Sequence, residues 1–142
     1  MSNLSYFLAA NVIKEDVVKY IASKRFIDEN KNPIEWELGC ITSAEDQEIR
    51  KSCTRKVQVP GKKNMYMPET DYDAYLAKLA VRCVKYPELN NAELQNSYGV
   101  MGEVALLQTM LKSGEYQDLL KRVQEINGFD TGMEELVEEA KN

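Results

Sequence analysis

Asp28-Glu29-Asn30-Lys31-Asn32-Pro33-Ile34-Glu35-Trp36-Glu37-Leu38-Gly39-Cys40 is the stretch that excludes an all-helical chain. Its first six residues are turn formers: Asp and Asn side chains bond their own backbone, and Pro presets φ. Ile34, Trp36, Leu38 and Cys40 then alternate with Glu35, Glu37 and Gly39, the period of two expected of a strand with one wet face. Upstream, residues 17–26 are rich in β-branched and aromatic types, so the two runs flanking the turn predict a β-hairpin over about 17–41. The turn also sets Asp28, Asn30 and Asn32 at alternate positions, as a calcium loop would. Pro33 stands where that loop needs glycine and Gly39 where it needs a bidentate glutamate, so calcium is excluded.

Working outward, Leu4 to Ala10 reads as a short helix, and Thr42-Ser43-Ala44-Glu45 is a capping box that opens a polar helix reaching about Ser52. Residues 53–69 hold Pro60-Gly61 and Pro68 with no clear period, and read as a long surface loop or extended arm. Beyond it the pattern turns helical. Tyr72, Tyr75, Leu76, Leu79, Ala80 and Cys83 recur at three and four, and Pro87 closes that element. Val100, Val104, Leu107 and Leu111 form a second stripe, with Gly99 and Gly102 at its entry read as an inter-helix turn. Tyr116, Leu119, Leu120, Val123 and Ile126 form a third, with Gly128 just past its end. A last helix is expected from Thr131, with Glu134 as capping partner and Met133, Leu136, Val137 and Ala140 along one side. The fold class is therefore mainly α with an α+β character. A single domain over 1–142 comprises the hairpin at about 17–41, the basic loop at about 53–69 and the helical part at about 70–142.

A chain of 142 residues can bury roughly two-thirds of its unfolded surface, and 44% hydrophobic content is enough to build that core. No run approaches the roughly 18 apolar residues of a membrane helix, and the first ten residues lack the positive start and long apolar run of a signal peptide. Cys40, Cys53 and Cys83 are widely spaced and odd in number, which fits reduced thiols in a cytoplasm.

The chain has no histidine, so triads and histidine-metal sites are absent by composition. No C-x-x-C pair, Walker motif or dinucleotide fingerprint occurs, and the acidic residues fall at helix starts, outer faces and the turn. No enzyme activity, cofactor or metal is expected. A net charge of -5 repels phosphate backbones, which argues against nucleic acid. Binding to another protein is what remains. Arg50, Lys51, Arg55, Lys56, Lys62 and Lys63 lie in a stretch with no acidic residue from Ile49 to Pro68, a candidate docking arm for an acidic surface. From Glu115 to Asn142 the chain is acidic, so arm and tail can attract each other within or between chains, and self-association is open to it. Met133, Leu136 and Val137, a narrow apolar stripe beside that acidity, are the second candidate contact.

Three stretches carry a resemblance. One runs from Asp28 to Leu38 and on to Arg50-Lys51-Ser52-Cys53-Thr54. Another is Tyr86-Pro87-Glu88-Leu89-Asn90-Asn91-Ala92-Glu93-Leu94-Gln95-Asn96-Ser97-Tyr98-Gly99-Val100-Met101-Gly102. The last joins Gly114-Glu115-Tyr116 with Val123 to Phe129. Together they resemble the XkdN-like family of phage tail assembly chaperones over nearly the whole chain. The resemblance implies a small cytoplasmic protein from the tail module of a contractile-tailed phage or prophage. Such a protein binds the tape measure protein, keeps it soluble, assists assembly of the tail tube protein around it and is absent from the mature particle. It carries over no catalytic motif, membrane role or residue-level binding site. The alternative from a different class is a structural tail or baseplate component retained in the particle.

Overall fold

The computed structural model describes residues 3–129. The expected last helix, with Met133, Leu136, Val137 and Ala140, lies outside the described residues. After two short 3-10 turns, Asn3–Phe7 and Ala9–Asn11, come β1 (Val18–Tyr20), β2 (Trp36–Leu38), α1 (Ser43–Ser52), β3 (Thr54–Gln58) and β4 (Tyr66–Thr70). There follow α2 (Tyr72–Cys83), β5 (Val84–Tyr86), α3 (Ala92–Ser97), α4 (Glu103–Met110) and α5 (Ser113–Ile126).

The N-terminal strands form where the alternation indicated, but the fold is mixed α/β and not mainly helical with one simple hairpin. β1 and β2 pair antiparallel, Val18 against Leu38 and Tyr20 against Trp36. β5 adds to the far side of β2, so the sheet runs β1-β2-β5 with the tryptophan strand at its centre. Trp36 and Leu38 point into the core at 1% and 0% exposure. Glu37 turns to the other face, where Lys19, its cross-strand partner, meets it at 2.6 Å. The turn chemistry at 28–33 holds: the Asp28 carboxylate accepts from the N–H groups of Asn30 and Asn32 at 2.8 and 2.9 Å, and Ile27 bridges Pro33. Regular pairing, however, stops at Tyr20, and residues 21–35 leave the ladder, with part of the segment packed into the core and its turn exposed. Ala22 and Ser23 are buried, Phe26 stacks at 6.0 Å on Trp36, and Arg25 donates to the Met110 carbonyl at 2.7 Å.

The helices cover one side of this sheet. α2 contributes Tyr75, Leu79, Ala80 and Cys83 to the core, α4 contributes Leu106, Leu107 and Met110, and α5 contributes Leu119, Leu120 and Val123. Each buried stripe follows the three-and-four spacing of its sequence. α1 starts at the capping box, with Thr42 Oγ1 accepting from the Glu45 N–H at 3.2 Å and the Glu45 carboxylate accepting from the Thr42 N–H at 3.3 Å. α5 stops at Gly128, whose φ of 82° is the left-handed geometry that glycine adopts without strain. Among the described residues no helix is long and apolar enough to cross a membrane.

Residues 53–69 differ most from expectation: they form a two-stranded antiparallel hairpin. Thr54 pairs with Thr70, Lys56 with Pro68 and Gln58 with Tyr66. The hairpin starts where α1 ends and delivers the chain into α2, and the Asp71 N–H donates to the Cys53 carbonyl at 2.8 Å to close its base. α1 and α2 lie side by side from this base to the opposite end of the domain. There Asn127, just after α5, accepts from the Ile41 N–H at 3.0 Å and donates to the Cys83 thiol at 3.3 Å.

Candidate functional site

The hairpin arm carries most of the basic residues singled out in the sequence. Its register sorts their side chains. Val59 N–H donates to the Met65 carbonyl at 2.8 Å, so 59 and 65 are a hydrogen-bonded pair, as are 57 with 67 and 55 with 69. The pairs between are the close, non-bonded kind, which fits Thr54 and Thr70 with hydroxyls 2.8 Å apart, and Pro68, whose missing N–H would face outward. Alternation then gives the arm two faces. One bears Lys56, Gln58, Tyr66 and Pro68. The other bears Val57, Val59, Met65 and Met67, ending in Arg55 and Glu69 at the base.

Among the described residues, none of those four apolar side chains belongs to the hydrophobic core or packs against it. Met65 and Met67 are 51% and 47% exposed, and Tyr66 on the opposite face is 63% exposed. A two-stranded sheet is marginal by itself in water and gains stability when something packs on its apolar face. Methionine suits such a face, because its flexible thioether moulds to different partners. One edge is poor for strand addition because Pro68 offers no donor there, and Lys56 sits on the other. The face, and not an edge, is thus the more open to packing contact.

The six basic candidates are not gathered on one surface. Arg50 is committed to the fold: its Nε donates to Asp46 Oδ2 at 3.0 Å, and its guanidinium lies 4.4 Å from the centre of the Tyr75 ring. The Tyr75 hydroxyl donates to the other Asp46 oxygen. Burial and the hydrogen bond to Asp46 push the Tyr75 phenol up to about 12, and the Asp46 hydrogen bond raises Arg50 as well. Lys51 is exposed on α1, below the arm. Arg55 shares a shallow depression with Glu69, Asp71 and Asp73, which offset its charge. Lys56 along the arm and Lys62 and Lys63 in its turn are exposed. These three are the arm's outward positive charge. Of the apolar candidates, Met133, Leu136 and Val137 lie outside the described residues.

A second uncovered surface has no counterpart among the sequence-derived candidates. Leu4, Tyr6, Phe7, Leu8, Val12 and Ile13, in and after the 3-10 turns, are 51–90% exposed. Their sequence signal was an apolar cluster without the spacing that would bury it on one helix face. Among the described residues no group of three acidic or cysteine side chains is placed to hold a metal. Cys53 and Cys83 are buried, Cys40 is exposed, and all three are free thiols. Burial raises Cys83, and burial with a hydrogen bond to Glu15 raises Cys40, so neither is an activated nucleophile.

The model of the phage XkdN-like tail assembly chaperone family matches residues 4–141. The chain is 32% identical over 141 residues to the phage-like element PBSX protein XkdN of Bacillus subtilis strain 168, covering 99% of this chain and 94% of that protein. It is 33% identical to the uncharacterized protein YqbN of the same strain, covering 99% of this chain and 93% of YqbN. The crystal structure of YqbN superposes with a TM-score of 0.76 at 28% identity, covering 92% of this chain and 99% of that one, which supports the mixed α/β fold.

Proposed function

The chain belongs to the phage XkdN-like tail assembly chaperone family, and from that premise we propose that it acts without catalysis, by binding the tape measure protein in the host cytoplasm. A tape measure protein is long and helical, with apolar stripes that stay uncovered until the tail tube encloses them, so alone it is prone to aggregate. A chaperone for it needs an apolar surface that accepts helix anchors and a charge that steers the encounter.

The observation that carries this reading is the arm, whose Val57, Val59, Met65 and Met67 face joins no core cluster among the described residues and is flanked by Lys62 and Lys63. The exposed apolar N-terminal stretch offers a second contact. The tail tube protein is a further partner at the point of handover, after which the chaperone leaves. Co-expression with the tape measure protein tests binding: copurification, with the tape measure protein kept in the soluble fraction, is expected. Mass spectrometry of purified particles tests release. Absence from the particle is expected, whereas a stoichiometric amount would favour a retained tail or baseplate component.

A further inference from the structure

The arm and the point where the chain leaves the described domain lie at opposite ends of the α1–α2 pair. The arm's base is closed by Cys53 and Asp71, at the end of α1 and the start of α2. The exit is held by Asn127, which touches Ile41 before α1 and Cys83 at the end of α2. α2 has 12 residues, a separation of about 18 Å. The apolar face of the arm lies beyond the base, on strands that rise about 3.3 Å per residue.

Residues 130–142 read Asp-Thr-Gly-Met-Glu-Glu-Leu-Val-Glu-Glu-Ala-Lys-Asn. Five acidic side chains stand against one lysine, and Met133, Leu136, Val137 and Ala140 recur at helical spacing. This is the complement of the arm, apolar for apolar and acidic for basic. Within one molecule the reach is short. From Asn127 to Met133 is six residues, about 21 Å at full extension, so within one molecule the stripe's first anchor reaches the arm's base and not the face beyond it, and only a fully extended chain would bring Leu136 and Val137 there. In a second copy turned end for end, the tail of each molecule begins beside the arm of the other. One two-fold axis then makes both contacts at once, as a closed isologous dimer requires.

We propose that residues 130–142 of one copy dock on the Val57, Val59, Met65 and Met67 face of a second copy's arm, and reciprocally, forming an antiparallel dimer that covers this face until a partner displaces the tail. The proposal shares the arm with the functional reading above, but its test needs no tape measure protein, so either can fail alone.

The test uses the full chain, by sedimentation velocity and light scattering over a range of concentrations. The wild type is expected to pass from 16.2 kDa to twice that mass as concentration rises. Changing Lys56, Lys62 and Lys63 to Glu, or Glu134, Glu135, Glu138 and Glu139 to Lys, is expected to weaken self-association at least tenfold while leaving the far-ultraviolet circular dichroism unchanged. Mixing the two variants one to one restores the dimer, because each variant's tail then meets an arm of opposite charge. Carbodiimide crosslinking of the wild type provides a readout independent of the variants: Lys62 or Lys63 joined to Glu134–Glu139 is expected in the dimer band. A wild type that stays monomeric at all concentrations, the same crosslinks found in the monomer band alone, or a mixture that fails to associate would overturn the proposal.

Discussion

The hydroxyl of Tyr75 on α2 donates to the carboxylate of Asp46 on α1, and Arg50 caps the pair from above the ring. This bond joins the two helices that support the arm. Because Tyr75 is 3% exposed, removing its hydroxyl leaves Asp46 short of a donor in a half-buried setting. Tyr75→Phe is therefore expected to lower stability by about 1–2 kcal/mol in urea unfolding. It should also remove the last phenol to ionise in an absorbance titration, near pH 12. The sign follows from the raised folded-state value: the stability it contributes is complete below the unfolded value of 10.0 and is lost as pH climbs through about 12.

Trp36 occupies the middle strand at 1% exposure, against Phe26. Trp36→Ala is expected to cost about 3–5 kcal/mol, a large share of a domain's total stability. A variant that melts within a degree or two of the parent would show that the sheet is not part of the core.

Glu115 accepts from Ser23, from the Lys112 N–H and from Arg25, and these hold its carboxyl below the usual glutamate range. A depressed value contributes stability above the unfolded pKa and loses it as pH falls through the folded one. Thermal midpoints should therefore drop as pH falls below about 4.3, and Glu115→Gln should flatten that slope while lowering the midpoint at pH 7.

Gly99 follows α3 with φ at 65°, and a Cβ there would meet nothing within 4 Å. The cost of Gly99→Ala is then backbone strain alone, about 1–2 kcal/mol. Partner binding should survive, because the residue shapes the turn into α4. A variant of parental stability that no longer binds would instead assign the turn to the interface.

How much of this was legible in the sequence depended on whether the signal was local. The Thr42 box, the Asp28 turn and the Gly128 stop are written within a few residues of themselves, and all three form as read. β5 is three residues at the very end of a helix, and only pairing with β2 makes it a strand. α3 is too short to show a buried stripe, and the Asn91 cap that starts it emerges only in the structure. β3 and β4 escaped because the exposed arm has no buried side to create a strong alternation. The basic cluster was plain as charge. That Arg50 is tied to Asp46 and Tyr75, and that Val57, Val59, Met65 and Met67 share a face, depends on which elements meet in space.

The most direct test of the account is copurification of the tape measure protein with arm variants. The parent chain, Lys56→Glu/Lys62→Glu/Lys63→Glu and Met65→Asp/Met67→Asp would each be co-expressed with it, after circular dichroism has shown each variant folded. The account predicts that the parent keeps the tape measure protein in the soluble fraction and copurifies with it, while both arm variants lose at least nine-tenths of that yield. Folded arm variants that copurify as well as the parent would contradict it.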